Sequence, residues 1–287
     1  MGKLIRLLFV CTAFLIAGLL AGAKVPEDNP GAEEVVQKML NAIGNLKTLK
    51  FHLKNSERIK GKFFFTESQA KLQISPRKLY LYLRGPELLW KEGWNGGNAL
   101  VNPGGFPYVN LNLDPMCSIL RENQHHTIHE MGFEYYGDVL KYALQKLSEE
   151  EISRNFKLVG ETKWNQRDCY LISVEYPEFK FIEYKVKKGE NLITIARSRR
   201  IAEYMILEQN TPKLKDYHDV KEGQTILIPN AYARKTLMFI DREYFLPINT
   251  KIYDDKGLFE SYEYHSLEVN PKISDEEFTK SYKGYKF

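Results

Sequence analysis

The feature that most restricts the fold is a series of period-two segments, broken once and then resumed. Phe51 and Leu53 alternate with Lys50, His52 and Lys54. Phe64, Thr66, Ser68, Ala70, Leu72 and Ile74 fall on one face of a longer segment, with Glu67, Gln69, Lys71 and Gln73 on the other. Leu79, Tyr80, Leu81, Tyr82 and Leu83 are apolar on both faces, which predicts a strand covered on both sides. Further strands are expected at 88–94, 99–102 and 108–113, separated by Gly85-Pro86, Gly96-Gly97 and Pro103-Gly104-Gly105. A helical stretch fills 116–147. Strands return at 156–163 and 169–176, stop, and resume at 235–241, 246–253 and 259–269. Strands in series with short turns make an antiparallel meander that curls into a sandwich or barrel. The 18 Tyr and 16 Phe suit such a sheet. One helix precedes it, with Val35, Val36, Met39, Leu40 and Ile43 on one face. A capped helix is expected at Ser274 to Phe278.

The first residues read as an export signal rather than as part of the fold. Lys3 and Arg6 precede an apolar run from Leu7 to Leu20, and Ala21-Gly22-Ala23 forms a small-x-small cleavage site. The run is shorter than the roughly 20 residues of a spanning helix. We therefore expect a signal peptide at 1–23 and a periplasmic, cell-wall-associated protein. Cys11 follows Val10, so it reads as filler of the apolar run rather than as a lipidation site. The formal net charge is +4, and Lys3 and Arg6 supply two of those charges, so nothing favours nucleic acid as a partner. In an oxidising compartment Cys117 and Cys169 can pair; the alternative is two buried thiols, and the sequence does not choose between them.

The break in the sheet pattern, at about 182–232, has its own logic. Tyr184 and Val186 alternate as a short strand, Gly189 permits a turn, and Asn191 is a good N-cap. Leu192, Ile195 and Ala196 line one helix face. Ala202, Met205 and Ile206 suggest a second helix ending at Asn210, and Gly223 leads into a last strand stopped by Pro229. The opening Tyr184 to Ala196 and the close Val220 to Pro229 resemble a LysM domain. That resemblance implies binding of glycans containing N-acetylglucosamine, such as peptidoglycan. The groove would lie between two loops. Its residues, carried over by position, would be Gly189, Glu190, Asn191 and Leu192 on one wall, then Asn210, Thr211, Pro212, Lys213 and Leu214 on the other. The family often has Asp-Thr or Asp-Ser where this chain has Glu190-Asn191. The ends of a strand–helix–helix–strand unit lie close together, so it can interrupt a sheet at little cost in loop closure.

The remainder, 31–182 with 233–287, resembles the periplasmic lipoprotein-carrier fold of LolA and LolB. The order of elements carries the resemblance, together with the closing phrases Phe239-Ile240-Asp241, Leu246-Pro247 and Tyr253-Asp254-Asp255-Lys256-Gly257. It implies an α+β fold: a curled antiparallel half-barrel over covering helices, with 183–230 as the inserted LysM module. It also implies a cavity for lipid or lipoprotein acyl chains. Phe51, Leu53, Leu72, Ile74, Leu79, Leu81 and Leu83 are the candidate lining residues; a solid core would want the same residues.

Catalytic signatures are sparse. His125, His126, His129 and Glu130 form the most enzyme-like cluster, and His125 and His129 would share a face if helical. The cluster lacks the Glu between histidines that a zincin needs, so a hydrogen-bonded polar segment is the better reading and no metal is expected. There is no Gly-x-Ser-x-Gly, P-loop or dinucleotide fingerprint, hence no expected cofactor. The sequence reads as an exported, non-enzymatic binder of peptidoglycan and of lipid or lipoprotein acyl chains, in envelope assembly or transport. The competing reading is a cell-wall hydrolase or other envelope enzyme targeted by its LysM module.

Overall fold

The structure, a computed structural model, describes residues 30–287. The expected signal segment and Cys11 lie outside the described residues. Among these residues there are six α-helices: α1 (Ala32–Gly44), α2 (Ser118–Arg121), α3 (Glu134–Lys146), α4 (Glu149–Asn155), α5 (Leu192–Arg199) and α6 (Glu203–Asn210). The strands before the insertion are β1 (Thr48–Ile59), β2 (Lys62–Gln73), β3 (Lys78–Tyr82), β4 (Glu87–Lys91), β5 (Ala99–Asn102), β6 (Leu111–Leu113), β7 (Phe156–Trp164) and β8 (Arg167–Glu175). Then come β9 (Phe181–Lys185), β10 (Thr225–Pro229), β11 (Lys235–Asp241), β12 (Pro247–Asp254) and β13 (Gly257–Val269). Among the described residues no helix is long and apolar enough to cross a membrane.

Eleven strands form one antiparallel sheet in the order β6-β5-β4-β3-β2-β1-β13-β12-β11-β8-β7. The sheet does not close, because β6 and β7 remain its two edges. Among the described residues, strands β9 and β10 pair only with each other. The chain thus leaves the large sheet after β8, builds a small unit, and re-enters at β11 beside β8, with Lys235 opposite Glu175.

The core lies on one face of the sheet. The apolar stripe of α1 (Val35, Val36, Met39, Leu40, Ile43) is buried with Leu49, Phe51, Leu72, Leu79, Ile172 and Met238. Burying each such side chain stabilises by about 1.5–3 kcal/mol. Helix α3 crosses α1 at Gly137, where a Cβ would stand 3.2 Å from Ile43 Cγ2. The outer face of β3 to β5 is covered by the C-terminal tail: Tyr80, Leu89 and Leu100 pack with Phe278, and Tyr285 stacks on Tyr80 at 3.8 Å. This explains why β3 is apolar on both faces. The expected terminal helix is a single 3-10 turn, Asp275–Phe278, held by a capping box at Ser274. The expected helical stretch 116–147 is mostly irregular before α3.

The tight loop between β5 and β6 rests on the turn between β3 and β4. Gly104 has φ +71°, and a Cβ there would lie 2.6 Å from the carbonyl carbon of Gly85, so only glycine fits. Cys117 is half-buried just before α2, whereas Cys169 is fully buried on β8. Both are free thiols, so of the two alternatives left open for Cys117 and Cys169 the structure has the unpaired one. One belongs to the segment over the sheet and the other to the packed core beneath α1.

Candidate functional site: a lidded cavity beside a LysM module

Along β1 the inward face changes character. Leu49, Phe51 and Leu53 are followed at the same parity by Asn55 and Glu57. The first part packs under α1, and the second opens into a cavity of about 370 Å³. Small-molecule sites commonly have volumes of about 300–1,000 Å³. Its walls come from both wings of the sheet. Leu111 and Leu113 on β6 line it, and so do Thr250 and Ile252 on β12. Those strands stand seven steps apart in the sheet order. On a flat sheet seven steps span roughly 34 Å, so the sheet must curl strongly for both to meet one cavity.

Of the expected lining residues, Leu53, Leu81 and Leu83 face the cavity. Phe51, Leu72 and Leu79 do not; they are buried in the solid core. Ile74 packs against the edge of that core. The correction has a simple cause. Alternation identifies the inward face, but helix α1 covers only part of it, and the remainder is roofed by a looser segment. That roof runs over 117–133, and its Ile119, Leu120, Ile128, Met131 and Phe133 point into the cavity.

The cavity is divided chemically. Beside β3 to β6 it is lined by Leu81, Leu83, Leu88, Val101, Leu111 and Leu113. Beside β1, β12 and β13 it is lined by Glu57, Glu260, Tyr262, Tyr135, His126 and Tyr232. Glu57 and Glu260 stand directly opposite each other across β1 and β13. Tyr262 donates to Glu57 at 2.7 Å and lies 3.2 Å from Glu260. Tyr232 donates to Glu260 at 2.8 Å. His125 is buried: its Nδ1 is 2.7 Å from Glu260, its Nε2 is 3.0 Å from the Arg58 carbonyl, and its backbone amide donates to Glu57 at 2.5 Å.

His126 sits between Glu130 and Glu260, 3.4 Å from each. Burial alone would lower its pKa. The Glu260 and Glu130 carboxylates outweigh that and hold it well above the ordinary value. Burial pushes Glu130 up, but its bonds to His126 and to the Thr127 amide bring it down to about 2. The His125–His129 pair does not share a helix face, because 125–127 is non-helical and His129 lies in a single 3-10 turn against Trp90. No group of three His, Cys, Asp or Glu side chains suited to a metal ion exists among the described residues.

The second candidate region is the insertion. Val186, Leu192, Ile195, Ile206, Leu214, Ile226 and Ile228 form its own core. Asn191 caps α5 through a capping box with Thr194. Glu190 accepts bonds from the Tyr184 hydroxyl and from the Lys187 amide, both at 2.8 Å. The Asn210 side chain ties α6 to β10, accepting from Leu227 N at 2.9 Å and donating to Leu227 O at 2.8 Å. Gly189, Thr211, Pro212 and Lys213 are exposed, with Glu190 and Asn191 beside them. Leu192 and Leu214 are not available to a ligand, since their side chains fill the module core. The two loops meet where the Leu192 amide donates to the Tyr217 carbonyl at 2.9 Å.

Sequence reasoning missed two things. One is the polar wing of the cavity. Its signal was present as charged residues at inward positions, Glu57 in β1 and Glu260 in β13. The other is the seam between module and roof. Arg121 of α2 forms a buried ion pair with Glu203 of α6 and lies 3.8 Å over the Tyr217 ring. His125 stacks on Tyr204 of α6 at 4.7 Å, and the Tyr204 hydroxyl accepts the Lys60 amide at 2.8 Å. Met205 is buried with Ile59 and Phe259 of the sheet. The module is therefore docked onto the sheet end and the roof together.

Comparison with known proteins finds two families that match the chain. The family described as "Protein of unknown function (DUF1571)" matches residues 46–193, and the LysM domain family matches residues 184–229. No curated protein matches the chain. Similar solved structures include the lipoprotein LppX of Mycobacterium tuberculosis, at 10% identity over 85% of this chain and 97% of that one, with a TM-score of 0.40. LprF of Mycobacterium bovis is similar at 10% identity over 85% and 94%, with a TM-score of 0.39. A LolA superfamily protein of Nitrosomonas europaea is similar at 11% identity over 88% and 99%, with a TM-score of 0.33.

Proposed function

The chain belongs to the DUF1571 family and carries a LysM domain within its sheet order, and from that premise we propose that it is a peptidoglycan-binding carrier of lipid or lipoprotein acyl chains. In this reading it is exported to the periplasm, held at the cell wall by its LysM module, and serves envelope assembly or transport by binding rather than by catalysis. The observation that carries the lipid half is the cavity of about 370 Å³ with leucine and valine walls under a roof of small apolar contacts. Each methylene buried there is worth about 0.8 kcal/mol, so a medium-length chain binds usefully. The exposed Gly189, Thr211, Pro212 and Lys213 at the meeting of two helix-end loops support the glycan half.

Three measurements test it. The protein should sediment with insoluble peptidoglycan and be released by soluble N-acetylglucosamine oligomers. Thr211→Trp, which obstructs the groove from an exposed position, should weaken this. Deleting the module is a poorer test, because it would bare Ile59 and Phe259. Native mass spectrometry should find amphiphile bound to protein expressed with its signal. A clean apo mass, with no displacement of a fluorescent fatty probe, refutes the lipid half. Zymography on peptidoglycan should show no clearing; a cleared band would replace the carrier reading with that of a targeted hydrolase.

A further inference from the structure

On its Glu57 side the polar wing of the cavity sets no positive charge against a buried carboxylate, and His126 is engaged by Glu130 and Glu260. Glu57 and Glu260 are opposite each other on adjacent strands, and they are only 2% and 0% exposed. Like charges directly opposite destabilise a sheet, and buried charges without partners cost more. Glu260 has partial compensation: Tyr232 at 2.8 Å, His125 Nδ1 at 2.7 Å and His126 Nε2 at 3.4 Å. Glu57 has none of this kind. Its partners are the Tyr262 hydroxyl, the His125 backbone amide and Asn55 Nδ2 at 3.3 Å, all neutral. The single Tyr262 proton is moreover contested, with Glu57 at 2.7 Å and Glu260 at 3.2 Å.

The cations nearby are committed elsewhere. The Arg58 guanidinium is directed at Asp254 and Glu208, and that of Arg121 at Glu203. Arg197 stands 3.8 Å from Glu130, on the side of the LysM module. A further observation is independent of the carboxylates. Tyr136 lines the same cavity, and its buried hydroxyl, with the Thr250 side chain beside it, makes no hydrogen bond of good geometry among the described residues. Buried polar groups are nearly always satisfied, so an orphan facing a cavity marks a place for a ligand's polar atom.

We propose that the amphiphile held in this cavity carries a cationic amine headgroup, seated against Glu57 and Glu260, with its chain along the leucine wall of β3 to β6. The inference rests on reading the cavity as an amphiphile site and adds the headgroup class to it. An ammonium group supplies three donors and one positive charge, and positive charge is what the Glu57 side of this wing lacks. A phosphate or carboxylate headgroup would place a third negative charge beside two buried ones.

The test compares dodecylamine, dodecanol and dodecanoic acid, which share a chain and differ in headgroup. Binding is followed at pH 7 by displacement of a fluorescent probe from the full-length mature protein. One hydrogen bond to a charged group corresponds to roughly ten- to a hundredfold in affinity. The amine should therefore bind at least about tenfold tighter than the alcohol, and the alcohol tighter than the acid. Glu57→Gln should shrink the amine-over-alcohol ratio by about tenfold. Tyr136→Phe, which removes only the orphan hydroxyl, gives a second reading in a variant expected to fold; it should weaken amine binding. An acid that binds as tightly as the amine overturns the headgroup assignment and leaves the cavity reading intact. If none of the three binds, the cavity reading itself falls, and the assignment with it.

Discussion

The seam between the LysM module and the cavity roof makes a strong prediction through one side chain, Arg121. Its guanidinium and the Glu203 carboxylate are 5% and 9% exposed, and Arg121 also covers the Tyr217 ring. Its Nε is already buried without a partner. Burial raises the Glu203 pKa even though Arg121 pulls it down, so desolvation is the larger effect at this site. Removing one member of such a pair leaves the other charge buried, at a cost of about 3–5 kcal/mol, whereas replacing both by apolar groups is often neutral. Arg121→Ala should thus remove a large share of a total stability of roughly 5–15 kcal/mol. Arg121→Met combined with Glu203→Leu should restore most of it. Urea unfolding of the wild type, both single variants and the double variant gives the coupling directly. The roof should also loosen in Arg121→Ala, read as faster labelling of the Cys117 thiol at its start. A single-variant loss below about 1 kcal/mol would mean that the pair is solvated and that the module does not hold the roof.

Three further outcomes are expected. Leu81→Trp, which projects a larger ring into the apolar wing, should lower amphiphile affinity at least about tenfold with little effect on peptidoglycan sedimentation. Asn210→Ala should destabilise the protein by about 1–3 kcal/mol, because it unties α6 from both backbone groups of Leu227; thermal unfolding measures this separately from glycan binding. The pH dependence of stability should have two limbs. Glu130 has a folded pKa lowered to about 2, so its contribution is complete above the unfolded value near 4.5 and is lost as pH falls through about 2, amounting to about 3 kcal/mol. His126 has a raised folded pKa, so its contribution is complete below about 6.5 and is lost as pH rises through the higher value. His126→Asn should flatten the alkaline limb; an unchanged alkaline limb would refute this origin.

Much of the architecture could be read from the chain. Period-two runs located nearly every strand, because one face of each meets a core and the other meets water. The double-sided apolar run at 79–83 announced the covering that the C-terminal tail provides. The LysM phrases at 184–196 and 220–229 defined a unit whose core is local, built from residues fewer than fifty positions apart, so its fold was legible from its own pattern. Asn191 and Gly189 have roles set by immediate backbone geometry, and these too were visible.

Other properties were decided only by the tertiary structure. Alternation shows that Phe51, Leu53, Leu79 and Leu81 face inward; it does not show what lies opposite them. Helix α1 stops where it does, so Phe51 and Leu79 meet packed side chains while Leu53 and Leu81 meet open space. Leu192 and Leu214, assigned to a glycan groove by position, turned into core because the module closes over them. The polar wing is the sharpest case. Glu57 and Glu260 are some two hundred residues apart, and each alone looks like a misplaced charge in a strand. Only the pairing of β1 with β13 sets them face to face, and only the curl of the sheet turns both toward a cavity. The chain carried the periodicities and the module; long-range register and the reach of the covering helix determined where the binding chemistry stands.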